Sequence, residues 1–545
     1  MIQKQPILSI ILIVAVLLLP FLDILEVTIM EARNYITARE MLTDGHWILT
    51  TMNGEARYQK PPLPTWLTAL SGMIFGIKNI WALRLPAVLM IMLLGTMLYT
   101  LSRKLTLSKQ HSFLNGLIGI TSFYVTLIIF EAPWDIYAHV FMLVAIYSII
   151  QVFISERIRF KYILLTIVFI GCSILSKGPI SVYALLIPFL ISYSVVYRKE
   201  IHKKKWITVP IILILGLALG FSWYFYVRYV DPDIFNAITA KETGNWTSYN
   251  VRPFYYYWSF FTQSGIWTIP AFISLLYPYL KTRVSNLKMY QFTLLWTLLI
   301  VVLLSIIPEK KSRYLMPVLI PLAINAGFYI EYLIRRFKEL KDKRETIPVY
   351  FSFGVIGLAF FNIPLVFVYL VIAEEKLNVP IVTFILLGLL SVVGVLLLKK
   401  LYQKSIKHVI VTLIVGVVLI IYSLGVLRSH NKIVNVGYSD FDDFVQYHNI
   451  ESSKTIYAYQ NITPEMIWSS GRKIKVINSL HDLPEGTVFY VLDCYGCRFN
   501  ITTDKDINNF LYETPYPIDL NYEFPTSGNY KDRKVGYVYK LTIPK

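Results

Sequence analysis

The feature that most constrains this chain is a succession of apolar runs, each of roughly 18 to 25 residues and long enough to cross a hydrocarbon core about 30 Å thick. A backbone in lipid must satisfy its own hydrogen bonds, so runs of this length fold as membrane-spanning helices. They fall near residues 7–25, 81–101, 113–130, 136–154, 162–176, 180–197, 207–229, 258–280, 292–307, 314–334, 349–372, 381–398 and 409–427. The expectation is about thirteen spans. The opening stretch to Pro20 lacks a small-residue cleavage site and reads as the first span, not as a removed signal peptide.

Charge then orients the spans. Alternate short loops carry Arg103, Lys104 and Lys109; Arg157, Arg159 and Lys161; Arg198, Lys199 and Lys203 to Lys205; Lys281, Arg283 and Lys288; the cluster from Arg335 to Arg344; and Lys399, Lys400, Lys404 and Lys407. Basic residues collect in cytoplasmic loops, so these loops and the N-terminus are expected in the cytoplasm. An odd number of spans places the C-terminal part on the periplasmic side. The same bias explains the formal charge of +18, and nucleic acid is not expected as a partner.

Composition changes after residue 428. Segments 455–459, 473–477, 487–492 and 535–542 are rich in β-branched and aromatic residues and read as strands. Segments 439–448 and 463–469 read as short helices, the second capped by Thr463. The fold class is therefore a polytopic α-helical membrane protein with a small C-terminal soluble α/β domain. Residues 1–428 form the membrane domain, with long outer loops at 26–80 and 231–257, and residues 429–545 form the soluble domain. Within the first loop, 66–77 is too short to span and suits a helix in the interface. Cys494 and Cys497 read as a structural disulfide in an oxidising compartment, and Cys172 as a packing residue.

Charged groups at the outer boundary of a bilayer are costly unless paired or functional. Here they are numerous: Asp23, Glu26, Glu31 and Arg33 after the first span, then Tyr58 and Lys60 before Pro61-Pro62. Glu131 and Asp135 mark the second outer loop, Lys177-Gly178-Pro179 the third, Glu242 and Arg252 the fourth, and Glu309 to Tyr314 the fifth. Cations from separate loops suit a phosphate, and a neighbouring carboxylate suits a general base. Singly, each has a structural reading: Lys60 and Lys177 as snorkelling anchors, Glu131 and Asp135 as partners of loop lysines, and Tyr255 to Trp258 as an aromatic belt.

In chain order these segments resemble a known signature. Residues Glu31 to Trp47, Asn53-Gly54, and Tyr58-Gln-Lys-Pro-Pro-Leu63 are similar to the first outer loop of the aminoarabinose transferase and protein O-mannosyltransferase superfamily, which has the glycosyltransferase C fold. Arg84-Leu-Pro86, Lys177-Gly-Pro179, Trp223-Tyr224, Arg252-Pro-Phe-Tyr-Tyr256 and Lys310-Lys-Ser-Arg-Tyr314 agree with it. The resemblance covers about the first 330 residues, and the remainder matches in layout the aminoarabinose branch. It implies inverting transfer of a sugar from a polyprenyl-phosphate donor to a lipid (lipid A-like), protein or glycan acceptor, in the inner membrane of a bacterium. The family's paired Asp-Glu is Met30-Glu31 here. By this resemblance Glu31 is the acceptor-side carboxylate, with Glu26 or Asp135 able to assist. Lys60 and Arg252 would bind donor phosphate with Lys177 and Arg313, and Tyr58, Tyr314, Arg33 and Glu242 would line the substrate.

Arg33 is also expected to hold Glu31 ionised. No His or Cys cluster marks a metal site; carboxylates are natural hard ligands, so Glu31 and Asp135 are compatible with a divalent ion. The competing class is a polytopic transporter or flippase for a lipid-linked or anionic substrate. That class calls for polar or broken helices at the midplane in two related halves. The spans here have apolar centres and no internal repeat.

Overall fold

The computed structural model describes residues 4–542 apart from 132, 158, 199–202, 375–378, 452–453, 485–487, 495–500 and 502–503. Cys497, Lys199 and Thr487 lie outside the described residues, as do the side chains of Glu131, Lys203 and Lys204. The chain forms two compact units. The first comprises Met1–Leu22, Gln59–Pro64 and Arg84–His430; the second comprises Asp23–Tyr58, Thr65–Leu83 and Asn431–Lys545. Most of the long first loop is thus grouped with the C-terminal segment.

The first unit is a helical bundle, and the chain is a multi-pass membrane protein. Among the described residues nine helices are long and apolar enough to cross a bilayer, and Lys109–Thr121 with Phe123–Phe130 makes a tenth, bent by 44°. The bend falls at Ser122, whose backbone is extended. Three of the expected spans are built differently. Pro6–Phe21 is short and closes in a 3-10 turn at Pro20. Val182–Tyr197 opens with a π-helical turn, Val182–Leu186, ahead of Pro188. The run at 258–280 is a chain of short helices, Phe260–Trp267, Thr268–Ser274 and Tyr277–Leu280, broken where Gly265 takes φ +63° and ψ −116°. Gly and Pro dictate these breaks, and hydropathy averaged over a window is blind to them.

Two spans sit at the centre of the bundle. Trp134–Ile154 and Ser312–Arg336 are each 89% buried along their most apolar stretch, whereas Lys343–Val371 is only 17% buried and turns Phe351, Leu365 and Tyr369 outward. Lipid is the medium that covers such a face.

The second unit is built on a six-stranded sheet. Lys475–Ile477, Ile456–Tyr459 and Val488–Cys494 run parallel; Val535–Thr542 joins antiparallel and pairs on its far side with Leu511–Tyr512 and Tyr516–Asp519. Alternation of side chains sends Ile456, Ala458, Tyr490, Leu492 and Val538 into one core and Tyr457, Tyr459, Phe489, Val491 and Leu541 into another. Both faces are covered, as the parallel part of this mixed sheet requires. The helices Phe441–Tyr447 and Pro464–Ser469 stand where expected. Thr463 occupies the N-cap position, but its hydroxyl donates to the Arg533 carbonyl at 3.1 Å instead of capping. Cys494 is disulfide-bonded and Cys172 is a free thiol.

Candidate active site

Local sequence explains how the first unit presents its charged groups. Pro133 opens the helix Pro133–Ile154, where a missing N–H costs nothing, and puts Asp135 in the first turn, favoured by the helix dipole. Lys177 lies in the last turn of Phe160–Lys177, where a cation is favoured, and Gly178 ends that helix at φ +76° before Pro179. A Cβ at residue 178 would lie 3.2 Å from the Tyr224 hydroxyl.

Asp135 and Lys177 form a buried ion pair. Oδ1 of Asp135 also faces His139 Nε2 at 3.9 Å, one turn along the same helix, and His139 Nδ1 meets the Ser181 hydroxyl at 2.9 Å. Oδ2 of Asp135 has no hydrogen-bond partner among the described residues. The Lys177 ammonium lies over the Tyr314 ring at 4.9 Å, and Lys60 and Arg313 are within its electrostatic range. Lys311 and Arg313 approach the same ring at 5.7 and 5.9 Å. Tyr314 donates to Glu309 at 3.3 Å, and Lys311 pairs with Glu309 at 2.6 Å. Around Tyr314 and its neighbour Lys177, among the described residues, the cations Lys60, Lys177, Lys311 and Arg313 outnumber the carboxylates Asp135 and Glu309 by two charges.

Arg252 joins this region through its backbone. Its N–H donates to the Pro308 carbonyl at 3.2 Å, Val251 bridges Glu309, and Lys310 N–H donates to Asn250 at 3.1 Å. Lys310 Nζ donates to the carbonyls of Arg252, at 3.2 Å, and Ile307, at 2.5 Å, and burial lowers its pKa. The Arg252 side chain itself is exposed. Tyr257, read from sequence as part of an aromatic belt, is buried and clips the loop: its hydroxyl donates to Lys311 C=O at 3.1 Å and accepts from Lys311 N–H at 3.0 Å. Phe254, Tyr255 and Trp258 do face outward. Glu242, on Pro232–Ser248, lies within electrostatic range of Tyr224.

Glu31, Glu26, Arg33 and Tyr58 belong to the second unit. Glu31 is fully buried in the first turn of Ile29–Thr43, where it forms a capping box with Thr28. Oε2 accepts from Thr28 N–H at 3.0 Å and the Thr28 hydroxyl at 3.1 Å, and Oε1 accepts from Tyr35 at 3.0 Å. Arg33 acts electrostatically on Arg57 and gives its carbonyl to that guanidinium at 2.7 Å. Burial first, then the like charge of Arg33, brings Arg57 down to about 9. Glu26 pairs with Lys534 and accepts from Tyr522 N–H at 2.6 Å. Tyr58 is buried.

Glu31 and Asp135, the carboxylates considered for a divalent ion, fall in different units. Among the described residues one group has metal-ligand spacing: Glu40, Asp44 and His46. Each has other partners. Glu40 holds Thr51, Asn53 N–H and Gly54 N–H, Asp44 pairs with Lys473, and His46 meets Thr51. The sequence singles out Glu309 and Lys311 as outer-boundary charges without giving them a role, and it does not single out His139 or Ser181. His139 carried a usable signal, its i+4 spacing from Asp135.

Residues 59–224 match the family described as dolichyl-phosphate-mannose-protein mannosyltransferase. The undecaprenyl phosphate-alpha-4-amino-4-deoxy-L-arabinose arabinosyl transferase of Photorhabdus laumondii is 24% identical over 54% of this chain and 53% of its own length. The arabinosyl transferase 1 of Proteus mirabilis is 24% identical over 60% of each chain. The chain thus spans somewhat over half the length of these curated relatives. In structure, ArnT from Cupriavidus metallidurans bound to undecaprenyl phosphate superposes with a TM-score of 0.67 at 14% identity, over 98% of this chain and 97% of that one. Family match, relatives and fold agree with the first-loop signature: residues 59–224 match a mannosyltransferase family, the chain is similar to arabinosyl transferases, and it has the fold of ArnT.

Proposed function

We propose that this protein transfers a sugar from a polyprenyl-phosphate donor to an acceptor at the extracytoplasmic face of a bacterial inner membrane. The observation that carries the reading is the excess of two positive charges around Tyr314 and Lys177 among the described residues, at the ends of the two most buried spans. A phosphate departing from the anomeric carbon carries the charge such a cluster neutralises. The relatives named above use or bind undecaprenyl phosphate by their descriptions, which supports the same donor class here. Positive-inside loops support a cytoplasmic N-terminus and a periplasmic segment 429–545.

In this reading Lys177, Lys60, Arg313 and Lys311 take the donor phosphate, and Arg252 reaches it from the neighbouring loop. Asp135 orients Lys177 by direct ion pairing, while His139, fixed by Ser181, faces the same carboxylate oxygen at 3.9 Å. Glu31 is the acceptor-side carboxylate: it takes the proton of the attacking hydroxyl as the sugar–phosphate bond breaks. Lipid, protein and glycan all supply such a hydroxyl.

The test is turnover by purified protein given polyprenyl-phosphate sugars with lipid, peptide and glycan acceptors. Formation of a glycosylated acceptor together with free polyprenyl phosphate is expected. Translocation of intact donor across liposomes with no bond broken would overturn the proposal in favour of a flippase.

A further inference from the structure

The second unit encloses a cavity of about 370 Å³ that no step of the transfer uses. This is within the range of small-ligand sites, about 300–1,000 Å³. Three half-buried aromatic side chains line it: Tyr438, Trp468 and Tyr522. Trp468 is braced against Tyr35 at 5.2 Å between ring centroids, and Tyr438 against Tyr522 at 5.6 Å, edge to face. Such fixed rings are surfaces on which the C–H faces of a sugar stack.

The charges in the wall argue against an anion. Lys534 is paired with Glu26, and Lys78 with Asp442 at 3.1 Å. Arg39, buried, spends its two terminal nitrogens on the carbonyls of Ile467 at 3.3 Å and Arg472 at 3.0 Å. Glu26, Asp440 and Asp442 are engaged as well, and Glu465 is only partly so. Glu465 is 3% exposed and accepts from Arg533 through Oε1 at 3.0 Å, yet its Oε2 has no hydrogen-bond partner among the described residues. An ionised carboxylate only accepts, so what completes it is a donor. A buried acceptor left open is costly, and a hydroxyl group removes that cost.

We propose that this cavity binds an uncharged saccharide, stacked on Trp468 and Tyr438 and donating a hydroxyl to Glu465. The proposal goes beyond the transferase reading and is tested by binding, so its failure leaves that reading untouched. Full-length protein in a detergent without a sugar headgroup is titrated with maltotriose and chitotriose by ligand-observed NMR, with tripolyphosphate as competitor. Ser469→Trp fills the cavity from its wall; Glu465→Gln keeps an acceptor for Arg533 while removing the charge. The expected result is saturable binding of at least one trisaccharide to the wild type, weakened about tenfold or more in either variant that keeps its thermal midpoint, and no displacement by tripolyphosphate. Absence of saturable binding to the wild type overturns the proposal. So does undiminished binding by a folded Ser469→Trp or Glu465→Gln protein, or displacement by tripolyphosphate.

Discussion

A glutamine at position 31 would accept the Thr28 N–H as the native glutamate does, because either residue completes a capping box. Glu31→Gln therefore separates two roles that Glu31→Ala merges. With Gln the thermal midpoint stays near that of the wild type while transfer falls about 10²- to 10⁴-fold, the range for loss of a general base. With Ala the cap is lost as well, at about 1 kcal/mol, and the Tyr35 hydroxyl loses its acceptor. The cap is legible in the sequence as Thr28-x-x-Glu31. At Asp135 and Lys177 the reverse holds. The sequence offers a loop lysine as partner for Asp135, but that it is Lys177, 42 positions away, is visible only once two helices pack. Lys177→Ala leaves a buried carboxylate without its cation and is expected to cost about 3–5 kcal/mol. The double change Asp135→Asn with Lys177→Met restores most of that stability without restoring transfer. Thermal unfolding in detergent, run beside the assay, checks both statements.

Among the elements, the break after Lys177 is the most exacting. Gly178 holds φ +76° with Tyr224 close behind, so Gly178→Ala adds strain of roughly 1–2 kcal/mol and displaces Lys177. Transfer is expected to fall more than stability, read as a drop in turnover at a midpoint lowered by a few degrees. In the terminal domain His448 lies among Phe444, Tyr447 and Tyr516. Burial, and then the charge of Lys540, lower its pKa. The unfolded chain therefore takes up this proton first, and stability is lost as pH falls through the unfolded value of about 6.5. The midpoint for unfolding of this unit should drop between pH 7.5 and 5.5, and His448→Gln should flatten that part of the profile. Strands were legible where β-branched and aromatic residues alternate, as in Ile456–Tyr459 and Val535–Thr542. The pieces Leu511–Tyr512 and Tyr516–Asp519 were not, being two and four residues long with Pro517 inside.

For the whole molecule, length and apolarity announced a polytopic membrane protein before any residue was weighed. The count of spans was less legible. Gly265, Pro20 and Pro188 break or shorten three of the apolar runs without changing their average hydropathy. Grouping of the first loop with the C-terminal segment was not legible at all, since it joins stretches some 400 residues apart in the chain. The outer-loop cations are visible in the sequence, yet only packing reveals that Lys177, Lys311 and Arg313 approach one ring, that of Tyr314, with Lys60 in electrostatic range of Lys177. That grouping is the central claim, and it is tested most directly by release of polyprenyl phosphate from a polyprenyl-phosphate sugar in a single turnover. Wild type is compared with Arg313→Ala and Lys60→Ala, each confirmed as folded. The account predicts release by the wild type and a loss of at least about tenfold in each variant, a little over 1 kcal/mol of transition-state stabilisation. Undiminished release by both variants would contradict it.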